Sequence, residues 1–288
     1  TMKTSSAEAR DKGMEAAGNA SRIKPDNAEA YMALGWLQTI MDWNIPTARE
    51  NMEKAYQLAP KNVDIVNIYG DFLAMCGDFE KALQIETQSI ALDPLAAVHY
   101  SDLAFLMLIL NRTDAAREPA LTSSSLAPDT AARHYPLIMT YIRLGRYDKA
   151  MEHIRLAELK TNADPGFINK WWSFLYYQQG DRENLRKKLE ERLEDLNSDS
   201  DYYSSLITGM FTMWLDDVSA AMPHIQKSYE LREFSLSWPE YFYLPERVSN
   251  DPAWLEFWQQ PGLAELIQTR REYGPYENIG YWKEPSPR

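Results

Sequence analysis

Large, apolar and small residues return along this chain at one long interval. Pro60, Pro94 and Pro128 are spaced 34 residues apart, and Pro25 precedes Pro60 by 35. Upstream of Pro60 stand Tyr31, Leu34, Gly35, Ala48 and Ala55; upstream of Pro94, Val66, Tyr69, Gly70, Ala82 and Ser89; upstream of Pro128, Tyr100, Leu103, Ala104, Ala116 and Ser123. A large residue followed three positions later by an apolar one marks a single face of a helix. The small residue after them lets a second helix approach closely. The two later small residues complete that contact, and a proline just past the second helix stops it. Each period therefore predicts a helical hairpin with one uncovered apolar side, which only a stacked neighbour buries.

The interval and the order large, apolar, small, then Ala, Ala, Pro resemble the tetratricopeptide repeat. Three units match closely, at about 27–60, 62–94 and 96–128, and a fourth follows with Leu137, Tyr141, Gly145, Ala150 and Ala157. Gly77-Asp78-Phe79-Glu80-Lys81-Ala82 and Gly145-Arg146-Tyr147-Asp148-Lys149-Ala150 are similar to the family's inter-helix turn. A fifth unit keeps Trp172, Ser173, Gly180, Asp181 and Leu185 but has Arg192 where a small residue belongs; a sixth, with Gly209, Ala221 and Ser228, departs further. The resemblance implies an all-α fold, a right-handed α-α superhelix of five to six helical hairpins. On this reading residues 1–26 hold the second helix of a truncated leading repeat, 27–235 the solenoid, and 236–288 a C-terminal helical cap and an extended tail. An array that starts on half a hairpin reads as a piece of a longer chain.

The last segment differs in kind, with 7 of the 16 prolines and 4 of the 9 tryptophans. Asn250-Asp251-Pro252 reads as a helix start, with a side-chain N-cap and proline in the first turn. Short helices are expected over 252–258 and 261–273, followed by a tail without period. Asp42-Trp43-Asn44, Ser249 to Trp254 and Pro261-Gly262-Leu263 resemble a bacterial subset of these repeat proteins. In that subset the repeats follow winged-helix regulator or adenylate cyclase-type effector parts of membrane-anchored signalling proteins.

Charge and motifs narrow the chemistry. Thirty Lys and Arg stand against 42 Asp and Glu, a formal charge of −12, which repels phosphate backbones and argues against nucleic-acid binding. The most apolar run, Leu103 to Leu110, is about two helical turns and cannot span a bilayer, so no membrane insertion is expected of this chain. No Gly-x-Gly, P-loop, His-Glu-x-x-His or Gly-x-Ser-x-Gly pattern occurs, and Cys76 is the lone cysteine. No enzyme activity, cofactor or metal is therefore expected. Of the four histidines, His134 falls on a large-residue position and reads as a core or hairpin-contact residue.

The resemblance also implies which residues meet a partner, because in that family the first helix of each hairpin lines the concave surface. The inward positions are Met32 and Trp36, Asn67 and Asp71, Ser101 and Phe105, Tyr135, Met139 and Arg143, and Lys170, Phe174 and Tyr177. This set is apolar for a solvated groove, which marks a site for a protein or peptide partner. Two other outcomes leave no open groove. The rings pack on one another, or the aromatic tail with Tyr276, Tyr281 and Trp282 fills the space. The set lacks the Lys and Asn with which chaperone-binding members open their carboxylate clamp, since Met32 and Trp36 stand there. A sensor that takes a small apolar or amphipathic ligand in the same groove is the alternative function. Neither the partner, the oligomeric state nor the compartment is encoded in any of these patterns.

Overall fold

A computed structural model describes residues 6–160, 163, 165–195, 204–215, 217–238 and 246–273. The expected tail, with Tyr276, Tyr281 and Trp282, lies outside the described residues. Among the described residues the fold is all-α. The helices are α1 (Ser6–Ile23), α2 (Ala28–Leu37), α3 (Ile45–Leu58), α4 (Val63–Met75), α5 (Phe79–Leu92), α6 (Ala97–Ile109), α7 (Thr113–Leu126), α8 (Tyr135–Arg143), α9 (Tyr147–Glu158), α10 (Pro165–Gln179), α11 (Arg182–Asp195), α12 (Ser204–Trp214), α13 (Val218–Glu230), α14 (Glu246–Ser249), α15 (Pro252–Phe257) and α16 (Leu263–Tyr273).

Consecutive pairs from α2/α3 to α12/α13 pack as hairpins, and the repeated small residues explain why. Ala48, Ala55, Ala82, Ser89, Ala116, Ser123, Ala150, Ala157, Ala221 and Ser228 are all fully buried. At Gly35 a Cβ would meet the Ala48 carbonyl at 3.0 Å and Met52 Cγ at 2.8 Å, so α2 and α3 cross where no side chain intervenes. Helix starts are capped by side chains that satisfy exposed amides: Asn27 accepts from the Ala30 amide, Asn44 from Thr47, and Asn62 from Asp64 and Ile65.

The inter-helix turns share a backbone device. Trp43, Gly77, Asn111, Gly145 and Gly180 all have positive φ, at 52°, 84°, 58°, 66° and 73°. These are equivalent repeat positions, so every one of these hairpins turns through a left-handed residue. Glycine and asparagine suit that conformation; a tryptophan does not, and it persists only where its surroundings hold it.

The chain divides into two compact units. One takes its described residues from Thr1–Pro94, Leu231–Trp238 and Trp258–Tyr276; the other from Leu95–Glu230, Pro239–Phe257 and Glu277–Arg288. In the first unit α1 packs on α2, and α16 returns from the far end of the sequence to pack on α3. In the second, α15 packs on α13 and contributes Phe257, whose ring stands edge-on to Tyr229 at 6.3 Å.

Candidate partner surface

Residues spaced by four on α2, α4, α6, α8 and α10 present one face of each first helix. Positions 36, 71, 105, 139 and 174 are equivalent in the repeat, as are 32, 67, 101, 135 and 170. Their burial is not equivalent. In the first unit Met32, Trp36 and Asp71 are half-buried and Asn67 is buried. In the second, Phe105, Arg143 and Tyr177 are half-buried, whereas Ser101, Tyr135, Met139, Lys170 and Phe174 are buried.

The buried rings belong to an aromatic stack that runs from α8 through α10 to α12. Tyr135 lies 5.8 Å from Trp171, Trp171 6.4 Å from Phe174, and Phe174 5.6 Å from Trp214. Tyr177 stacks on Trp214 at 5.4 Å with an interplanar angle of 11°, and Phe211 stacks on the same indole at 5.5 Å. Trp171, Phe211 and Trp214 were not among the expected residues. Trp214 belongs to the sixth hairpin, whose departure from the repeat hides its register. Lys170 sits within this layer, its ammonium 5.2 Å from the Trp171 ring, and burial pushes its pKa down to about 8. The Arg143 guanidinium donates to the Leu108 carbonyl, which ties α8 to α6.

A histidine pair joins the same unit. His134 is buried and its Nε2 lies 3.1 Å from the Pro128 carbonyl, while its Nδ1 faces His153 Nδ1 at 3.2 Å. A carbonyl only accepts, so His134 donates from Nε2 and its Nδ1 accepts the proton of His153. The Tyr141 ring stacks on His153 at 5.5 Å. Burial holds both imidazoles below the ordinary histidine value; Lys160 adds to this at His134, and His134 itself at His153. His224 is lowered in the same way, by burial and by Lys227. A lowered folded-state value means that the unfolded chain binds protons first as pH falls from about 6.5, so stability is lost in that window. The melting temperature is expected to drop between pH 7.5 and 5.5, and His153→Gln is expected to reduce that pH-dependence. An unchanged pH-dependence in the variant would remove the pair from the explanation.

A shallow depression of about 380 Å³ lies on α9, lined by Met151, Leu156 and Leu159 with Asp148, Glu152 and Arg155. It contains none of the expected partner residues. Among the described residues no three His, Cys, Asp or Glu side chains are grouped to hold a metal, and no helix is long and apolar enough to cross a membrane.

A tetratricopeptide repeat protein from Parabacteroides merdae is similar over 90% of this chain and 91% of its own, with a TM-score of 0.59 at 13% identity. The fold is that of the tetratricopeptide solenoids. The Cut9–Hcn1 complex of the APC/C gives a TM-score of 0.59 at 15% identity, over 87% of this chain and 46% of that one. Pseudomonas aeruginosa pilF gives 0.51 at 20% identity, over 72% and 97%. No protein-family model matches the chain. At these identities the likeness establishes the fold alone.

Proposed function

We propose that this chain is a non-catalytic protein-interaction module in which the first-helix faces within a unit receive an extended peptide or a partner helix. The observation that carries the reading is a set of half-buried side chains on the first helices of the hairpins: Met32, Trp36 and Asp71 in one unit, Phe105, Arg143 and Tyr177 in the other. Partly exposed aromatic and arginine side chains are the types that dominate binding energy at protein interfaces. Asp71 and Arg143 add charges that orient a polar backbone or an acidic group. Asn67, Ser101, Tyr135, Met139, Lys170 and Phe174 are buried and are left out of this surface.

The resemblance of Asp42-Trp43-Asn44 and Pro261-Gly262-Leu263 extends the proposal to a setting. The module is a receiver or scaffold part of a larger bacterial signalling or regulatory protein. The test is a selection of binding peptides on the immobilised chain, followed by titration against Trp36→Ala and Phe105→Ala. Each substitution is expected to weaken the selected peptides by about tenfold while lowering the melting temperature by no more than a few degrees. Affinity and melting temperature falling together would show that these side chains are structural and would overturn the reading. Retained affinity in both variants would place the peptide elsewhere.

A further inference from the structure

Helix α16 attaches to the first unit in the manner of a bound ligand. Leu263, Leu266 and Arg270 form its buried stripe, spaced three and four residues apart, while Glu265, Gln268, Arg271, Glu272 and Tyr273 are exposed. Near its start, Gly262 has φ of 84°, and a Cβ there would stand 2.9 Å from Trp43 Cβ. Toward its end, Arg270 Nε donates to the Met75 carbonyl at 2.7 Å. Met75 is the last residue of α4, where the helix dipole and the terminal carbonyls favour a cation.

The receiving surface is complementary at each point. Gly77 also has φ of 84°, and a Cβ on it would stand 3.2 Å from Arg270 Cα, so only a glycine turn lets the helix backbone this close. The Arg49 guanidinium lies 5.5 Å from the Phe72 ring and 5.1 Å from Tyr273 of α16. Trp43, Arg49, Phe72, Met75 and Gly77 all come from the turns and adjoining helices of the first two hairpins. Arg270 and Met75 are 195 residues apart, so local connectivity does not impose the contact.

We propose that the turn edge of the first two hairpins is a helix-binding site, with α16 as its intramolecular ligand. A partner helix carrying the same Leu-x-x-Leu-x-x-x-Arg pattern takes its place when α16 lifts. The exchange requires that this short helix, held by Leu263, Leu266, Arg270 and the contacts at Gly262 and Tyr273, open at lower free energy than the hairpins beneath it. The site uses none of the residues assigned to the first-helix faces.

The probe is a fluorescein-labelled peptide of residues 259–273, titrated into the full chain in two forms. One form is unsubstituted. The other carries Leu266→Ala with Arg270→Ala, which loosens α16 and leaves the receiving residues intact. The peptide is expected to bind the double variant at least about tenfold more tightly than the unsubstituted chain, where α16 competes. The same peptide bearing both alanines is expected to bind neither form. Hydrogen exchange on the unsubstituted chain is a second readout, with α16 amides expected to exchange about tenfold faster than those of α4. Equal affinity for both forms, no binding to a double variant whose α4 stays protected, or exchange of α16 and α4 in one event would each overturn the proposal. Loss of α4 protection in the double variant would do so as well, because α16 would then be an integral part of the unit.

Discussion

Trp43→Ala is expected to destabilise the first unit by about 3–5 kcal/mol, the cost of removing a large ring from a closed site. Trp43 is only 1% exposed, lies beneath the Arg232 guanidinium at 4.2 Å from the ring centroid, and is packed against Gly262. It also holds a left-handed backbone conformation that a bulky residue adopts at a cost of about 1–3 kcal/mol. Alanine empties the site and keeps the unfavourable φ. Glycine empties it further yet relieves the backbone. Trp43→Gly is therefore expected to be more stable than Trp43→Ala by up to about 1 kcal/mol, the reverse of the order that cavity size alone predicts. Thermal denaturation followed by circular dichroism would show the alanine variant melting roughly 10 °C lower. A shift of under about 2 °C would mean that the ring is not part of the fold's closure.

The second large effect is expected at Phe174. Its side chain is fully buried between Trp171 and Trp214, and Phe174→Ala is expected to cost about 3–5 kcal/mol. Tyr177, one turn further along α10, stacks on the same indole but is half-exposed. Tyr177→Ala should cost clearly less, since part of its surface already meets water. Urea unfolding of both variants measures the difference through the transition midpoint. Similar midpoints would mean that the stack is loosely packed and that Phe174 and Tyr177 are equivalent members of one surface.

This contrast shows why burial along the first-helix faces is only partly legible in the amino-acid pattern. Trp36, Asp71, Phe105, Met139 and Phe174 share one repeat register, and helical periodicity assigns them one direction. Whether a side chain in that direction meets solvent depends on the size of its neighbour on the next first helix. Across from Phe174 stands Trp214 of α12, with Trp171 beside it on α10, so the position closes; Trp36, Asp71 and Phe105 stay partly open. Neighbour size across an interface is a property of two helices, and no single helix encodes it.

The hairpins themselves were written in the chain. Small residues at Gly35, Ala48, Ala55 and their equivalents, side-chain caps such as Asn62, and the glycine turns at 77 and 145 act between residues close in sequence. Such local interactions recur with the period and therefore announce themselves as a pattern. Two sequence motifs, Asp42-Trp43-Asn44 and Pro261-Gly262-Leu263, could be singled out but not joined. Only the tertiary structure sets Gly262 against Trp43 and Arg270 on the Met75 carbonyl. Those contacts occur once, between segments about two hundred residues apart, and a contact without a period leaves no trace in composition or spacing. Repetition made the hairpins readable; close packing between distant, non-repeating segments decided where the last helix goes.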